Sequence, residues 1–247
     1  MISNPETKFE ISVLENSCAV VKFSIILGMF LEALNTSNQS ATQRAYIRLR
    51  RDIIAGDLAP GVRLKVDDLK VKLNTGASPV REALSLLTSD QLVERLDQRG
   101  FRVAQANREQ FNEILNLRCN LEALALKESL ADGDETWEES LVLSHHRLSK
   151  SDRADPDAFE TSHKEFHMAL IAKCKSPILL KFCSQLYDLN VRYRYMAGTS
   201  KGYSQRDVAR EHADILSSAV ARDYDSCSER LISHYRQTGA FLAELIG

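Results

Sequence analysis

Four of the six histidines in this 247-residue chain fall in a pattern that can do chemistry. His163 and His167 stand four apart, so they share one face of a helix, together with Phe159, Phe166 and Leu170. His212 shares a stripe with Val208, Ile215 and Ala219, and His234 shares one with Cys227, Leu231, Phe241 and Leu245. One inward imidazole is an ordinary hydrogen-bonded core residue. Four of them, drawn from three helices, predict a convergent metal site, because neutral imidazole is a common ligand and helix bundles host such sites. His145 and His146 fall on the flank and the outer face of their helix and read as surface residues.

A second chemistry sits upstream. Residues 36–106 carry 12 Lys and Arg against 8 Asp and Glu, whereas residues 107–247 carry 18 against 22, within a chain of net charge −2. A basic block followed by an acidic one suggests that the first half meets a polyanion. Inside it, Ser78-Pro79 opens a helix, with Ser as N-cap and Pro at the first position, ahead of an apolar stripe of Val80, Ala83, Leu84 and Leu87. Arg81, near that helix start, can present its fork to guanine O6 and N7 in a major groove. Ser78 and the nearby backbone N–H groups can hold a phosphate. Arg99 at a hairpin tip can reach a minor groove, where Gly100 lets the backbone come close.

These residues need elements to carry them. Ala41–Ala55 and Val66–Leu73 read as helices, and Asn74-Thr75-Gly76 as the turn before a third. Leu92–Leu96 and Phe101–Val103 alternate around Asp97-Gln98-Arg99-Gly100, which reads as a hairpin. Three helices and a hairpin over residues 40–106 make a winged helix-turn-helix. From residue 107 to 247 the pattern is helical throughout. The expected helices are Arg108–Ala131, Glu135–Lys150, Pro156–Lys173, Pro177–Met196, Gln205–Arg222 and Ser226–Ile246. The breaks between them are short, so neighbours run antiparallel. The expected fold is mainly α: an N-terminal winged helix-turn-helix plus a C-terminal antiparallel all-α helical bundle.

Residues 1–39 read as a dispensable N-terminal extension, with Met29 as an alternative start. The apolar run Cys18–Leu34 holds Lys22 and Glu32 and is short for a membrane span, so no membrane partner is expected. Five cysteines without a CxxC pair argue against a disulfide scaffold and for the reduced cytoplasm.

Ala59-Pro60-Gly61, Leu64, Leu69, Leu73, Ser78-Pro79-Val80-Arg81-Glu82-Ala83-Leu84, Leu92-Val93-Glu94 and Arg99-Gly100-Phe101-Arg102-Val103 together resemble the winged-helix signature of GntR-family transcription regulators. The family usually has Ser-Arg-Thr-Pro where this chain has Gly76-Ala77-Ser78-Pro79, so an arginine that often reads a base is replaced by Ala77. The C-terminal half is similar to the FCD-type effector domain of the FadR subfamily, through Arg118-x-x-x-Glu122, His163-x-x-Phe166-His167, Glu211-His212 and His234. That resemblance implies a divalent metal held by three histidines and one aspartate, with a small carboxylate completing the site. His167, His212 and His234 match the three histidines. His163 stands where the family commonly has Asp, and Glu160, on the same face, is a candidate substitute. A ligand set with His163 in it carries one less negative charge and more nitrogen. It favours zinc or nickel over manganese.

A dicarboxylate effector needs further anchors. Arg118 shares the stripe of Phe111, Ile114 and Ala125 and points inward, where it can grip a carboxylate with two bonds. Arg194 lies at the edge of the core face marked by Leu179, Leu186 and Tyr193, and Arg192 lies well away from it. Arg118 and Arg194 are the candidate effector anchors, the bland alternative being ion pairs with Glu122 or Asp188. The patterns around Gly76–Leu84, Arg118–Glu122, His163–His167 and Arg192–Tyr195 resemble the carbon-starvation subgroup that controls glutarate and 2-hydroxyglutarate breakdown. The resulting expectation is a homodimeric repressor that binds double-stranded operator DNA and is released by such an acid. The rivals are a metal-dependent enzyme built on the histidine cluster and a regulator that senses the metal itself.

Overall fold

The computed structural model describes residues 39–97, 99–197 and 206–245, so expectations for residues 1–38 lie outside the described residues. The chain begins its described part with helix α1 (Ala41–Ile54), whose first turn is capped by the Ser40 hydroxyl, which accepts from the Gln43 N–H at 3.1 Å. A two-residue strand β1 (Arg63–Leu64) follows, then α2 (Val66–Leu73). Asn74 closes α2 in the left-handed region at φ 46°, a conformation that asparagine tolerates better than most residues.

Helix α3 (Ala77–Ser89) buries Val80, Ala83, Leu84 and Leu87 completely. It starts earlier than Ser78-Pro79 suggests. Gly76 occupies the cap position with no side-chain bond, Ser78 lies inside the first turn, and its hydroxyl donates to Glu82 Oε1 at 3.0 Å. Pro79 is still tolerated there, because the first N–H groups of a helix have no intrahelical partner to lose.

Strands β2 (Val93–Leu96) and β3 (Gly100–Val103) form the expected hairpin, and Gly100 takes φ +94°, which a Cβ would strain. The sheet order is β1-β3-β2, antiparallel, with Leu64 opposite Phe101 and Val93 opposite Val103. The third strand was not expected, since two residues are too few to show a period.

Six helices complete the described chain: α4 (Arg108–Asp132), α5 (Glu135–Lys150), α6 (Pro156–Leu170), α7 (Pro177–Ala197), α8 (Val208–Val220) and α9 (Tyr224–Leu245). Their starts are written in the sequence. Asn107, Asp134, Asp155 and Asp207 each accept from a backbone N–H three residues on, which satisfies an orphan donor and sets partial or full negative charge at the helix start. α6 stops three residues short of expectation and α8 starts three residues late. The Trp137 indole N–H donates to the Ala169 carbonyl at 2.8 Å and ties α5 to α6. α4 and α9 approach so closely that a Cβ on Gly239 would sit 2.3 Å from Leu115 Cδ2.

Two apolar clusters hold the molecule. One lies inside the bundle. The other joins Leu49, Ile53, Leu84 and Leu87 of the winged helix to Phe111 of α4 and to Leu186, Val191 and Tyr193 of α7, so the two halves share a core. Leu84 sits at its centre with no exposure. Leu84→Ala is expected to cost about 2–5 kcal/mol in chemical denaturation, and a cost under about 1 kcal/mol would contradict this packing.

Candidate functional site

The four inward histidines meet. α6 supplies His163 and His167, α8 supplies His212 and α9 supplies His234, and all four are buried. One ring nitrogen from each lies within 4.8 Å of all the others. His163 Nε2 is 3.1 Å from His212 Nε2 and 3.2 Å from His167 Nε2.

The other ring nitrogens point outward to acceptors. His163 Nδ1 lies 2.6 Å from the Tyr187 hydroxyl, which donates to Glu160 Oε2 at 3.1 Å. His167 Nδ1 lies 2.9 Å from the Tyr235 hydroxyl, which donates to Glu122. His234 Nδ1 lies 2.7 Å from Glu211 Oε2. This network assigns the imidazole proton to Nδ1 in all three rings and turns their Nε2 lone pairs inward.

Burial holds His163, His167 and His212 well below their ordinary value of 6.5, with neighbouring imidazoles and arginines pushing the same way. His234 is also lowered by burial, against the pull of Glu211. All four are therefore neutral at pH 7 and free to act as ligands.

Such a cluster fits a metal ion. Two nitrogens bound at about 2.0–2.1 Å to one ion stand roughly 2.9–3.4 Å apart between octahedral and tetrahedral angles. With their protons on Nδ1, the Nε2 lone pairs of His163 and His167, 3.2 Å apart, repel one another without a cation between them. Glu160 is not among the converging groups. Its carboxylate is held by Arg194 and Tyr187 on the Nδ1 side of His163, so the fourth inward donor is the His163 ring itself.

Both candidate anchors border the cluster. Arg118 is buried, bonded to Glu122 at 2.6 Å and to Asn190 Oδ1 at 3.1 Å, and its Nη2 has no hydrogen-bond partner. Arg194 donates to Glu160 Oε1 at 2.8 Å, to Asn190 Oδ1 at 3.3 Å and to the Tyr187 hydroxyl at 3.0 Å. The ion pair with Glu122 is thus present, and it leaves one guanidinium nitrogen over. A cavity of about 10 Å³ lies among Leu115, Arg118, His163, Asn190, Arg194 and His234. That is room for one water.

Arg192 is buried too, but it faces the winged helix and donates to the Ala104 carbonyl. Sequence reasoning did not single out Tyr187, Asn190 and Tyr235. Tyr187, Asn190 and Arg194 follow the i, i+3, i+7 spacing of one helix face, which was the available signal.

A larger cleft of about 600 Å³ opens between α1 and helices α6 and α7, lined by Arg50, Arg51, Asp157, Lys164 and Asp188. Its wall includes Glu160 and Tyr187, the two groups that hold Arg194 and His163. Its cations are paired: Arg51 with Asp157 at 2.5 Å and Arg50 with Asp188 across the two halves, and Lys164 with Asp188 at 2.7 Å within the bundle. The remaining candidates lie on the winged helix. Ser78 and Arg81 are exposed at the start of α3, and Arg99 and Gly100 are exposed on the hairpin. Arg63 donates to the Arg99 carbonyl at 2.7 Å and fixes the hairpin tip.

The family model for bacterial regulatory proteins of the gntR family matches residues 41–103, and that for the FCD domain matches residues 113–237. The chain is a GntR-family transcription regulator with an FCD domain. Among its relatives, the HTH-type transcriptional regulator BphR of Paraburkholderia xenovorans (strain LB400) is 38% identical over 79% of this chain and 82% of its own length. The HTH-type transcriptional repressor GlaR of Escherichia coli (strain K12) is 32% identical over 76% of this chain and 90% of its own. The solved structure of E. coli McbR/YncC superposes with a TM-score of 0.74 at 23% identity, over 85% of this chain and 100% of that one, which shows a shared fold. These families and relatives are transcription regulators, not enzymes, which removes the enzyme alternative.

The depressed imidazoles of this GntR regulator make its stability depend on pH. Unfolded, they take protons near 6.5; folded, only at lower pH. The unfolded state therefore binds more protons just below 6.5, and stability falls as pH drops, by up to roughly 1.4 kcal/mol per pH unit for each histidine. Urea unfolding with a chelator present should show a marked loss between about pH 7 and about pH 5.5, and equal midpoints would contradict the buried neutral cluster.

Proposed function

We propose that the chain is a homodimeric cytoplasmic repressor that releases operator DNA when a small dicarboxylate binds beside a divalent ion held by His163, His167, His212 and His234. The observation that carries this reading is a charge balance. The three carboxylates that reach the cluster, directly or through a tyrosine, each have an arginine of their own: Glu122 with Arg118, Glu160 with Arg194, Glu211 with Arg206. The shell is neutral and the four ligands are neutral, so a divalent ion brings two unbalanced positive charges. A dianion matches them, and the spare Nη2 of Arg118 and the fork of Arg194 can hold its carboxylate oxygens. Four imidazoles select zinc, with nickel second. Glutarate or 2-hydroxyglutarate is the effector that the resemblance suggests.

Release follows from space and from α7. The cavity beside the cluster holds one water, so a five-carbon acid must push Arg194 and α7 aside. α7 carries Tyr187, Asn190 and Arg194 on the cluster side. On its other side it carries Asp188, Val191 and Arg192, against the winged helix. Movement at one face changes the seating of the other. On the DNA side, Arg81 reads a base, while Ser78, Arg99 and Gly100 position the backbone. One second reading has support: four converging histidines are enough ligands for a closed site, which would make the ion itself the signal.

Metal analysis of the purified protein should find about one divalent ion per chain, lost in His167→Ala, His212→Ala and His234→Ala. Arg118→Lys, which keeps a positive charge beside Glu122, should retain the metal and bind DNA but fail to release it on titration with glutarate or 2-hydroxyglutarate. A metal-free wild type that still responds to these acids would refute the mechanism; release by metal alone would favour the second reading. Arg81→Ala should cost about 1–3 kcal/mol on operator DNA and much less on scrambled DNA. Equal losses on both would reduce Arg81 to a phosphate contact.

A further inference from the structure

Three of the four cluster histidines have an acceptor for the ring nitrogen that faces away from the cluster: Tyr187, Tyr235 and Glu211. The fourth has none. His212 Nε2 lies 3.1 Å from His163 Nε2, but its Nδ1 meets no hydrogen-bond partner among the described residues, although the residue is only 3% exposed. An imidazole that gives its Nε2 lone pair to an ion carries its proton on Nδ1, and that N–H needs an acceptor. Left alone, His212 has a better choice. With the proton on Nε2 it donates to the inward lone pair of His163, and only a bare Nδ1 is left over. With the proton on Nδ1, it would bury an unsatisfied donor and set one lone pair against another. The first form is favoured, and its Nε2 is closed to an ion.

There is room beside the ring for the missing acceptor. A cavity of about 110 Å³ lies between the end of α5 and the starts of α6 and α8, and His212 forms part of its wall with His145, Arg153 and Phe159. A dry cavity of about 150 Å³ takes in benzene, so this one has space for roughly four to six non-hydrogen atoms. Arg153 is the one charged residue of the lining. Its guanidinium stands 5.4 Å from the centre of the Phe159 ring and forms no ion pair among the described residues. His145 is held below its ordinary value by burial and by His146, so it adds no charge at pH 7. The hydroxyls of Ser149 and Ser151 donate to the backbone carbonyls of His146 and Leu148, which leaves them acceptors only. One cation without an acid suits a single negative charge.

We propose that this cavity is a second ligand site, for a small monocarboxylate whose oxygens accept from His212 Nδ1–H and from the fork of Arg153. An acid bound there holds the imidazole proton on Nδ1 and turns the Nε2 lone pair toward the cluster. The ring neither gains nor loses a proton; the proton changes nitrogen. Acid and ion then strengthen one another's binding by the same factor. A hydrogen phosphate dianion would bring one charge more than Arg153 can match, so the site selects a carboxylate. The site is separate from the small cavity beside Arg118 and Arg194, whose wall holds His163 and His234 but not His212. The coupling rests on the ion proposed above, whereas the ligand site stands without it.

Two measurements on the full chain separate these statements. Nitrogen-15 spectra of the metal-free protein should show a saturable change at His212 on titration with millimolar acetate, toward the Nδ1–H form, with the other three rings still carrying Nδ1–H. Zinc affinity, read by competition with a chelator, should rise about tenfold in acetate, the usual worth of an outer partner to a metal-bound imidazole. The gain should vanish in Arg153→Ala, which removes the cation, and in Ala209→Leu, which fills the cavity from an exposed position of α8. Inorganic phosphate should give no gain, and an equal gain would overturn the carboxylate selectivity. A gain that survives Arg153→Ala and disappears in Arg118→Lys would place the acid on the other side of the cluster and overturn the site. No change at His212 and no gain for zinc would mean that water alone fills the cavity, which also overturns it. A protein that binds no zinc yet shows the His212 change keeps the ligand site and refutes the ion.

Discussion

Nitrogen lone pairs that point at one another inside a protein are a constraint on everything around them. Here the Nε2 atoms of His163 and His167 stand 3.2 Å apart, while Tyr187 and Tyr235 occupy the opposite edges of their rings and Glu211 holds that of His234. Those acceptors are in turn fixed by Glu160, Glu122 and Arg206, and through them by α4, α7 and α9. The bundle is therefore organised from its polar centre outward. Its apolar cluster of Phe166, Leu170, Ile215 and Leu231 supplies the dry surroundings that keep the imidazoles neutral.

Much of this was legible in the chain. Periodicity placed the histidines inward, since each stands in a stripe of residues that are buried, such as Phe166, Ile215 and Leu231. The order of helices and hairpin followed from periodicity and from short breaks, and Asn107, Asp134 and Asp155 prove to cap the helices that start there, while Gly100 turns the hairpin. Arg118 was inward by the same arithmetic, and the choice of Arg194 over Arg192 as neighbour of the cluster follows from about 200° of helix rotation between them.

What was not legible depends on contacts between distant segments. β1 is a strand only because Phe101 and Arg102 lie beside it. Arg192 lies well away from the bundle's core face, and it is buried because the winged helix covers that side of α7. Glu160 shares a face with His163, yet Arg194 and Tyr187, from another helix, hold it away from the ring's inner nitrogen. Ser78 looked like a cap because serine before proline is a common helix opening, but the turn at Asn74 brings the chain into helix by Ala77.

The pairing of Arg194 with Glu160 and of Arg118 with Glu122 has a consequence for any sensor built this way. A carboxylate tethered in the same fold faces its arginine at an effective concentration that a free acid matches only in the millimolar range or above. Each guanidinium thus already has a resident competitor, and a monocarboxylate offers it nothing that the resident lacks. An acid with two heads can add a bond to a cation beyond the reach of Glu160 and Glu122, and the two ends then assist one another as a chelate does. Built-in rivals of this kind act as a filter: they leave simple acids, however common in the cell, too weak to displace them, and reward a ligand by the distance between its two charges.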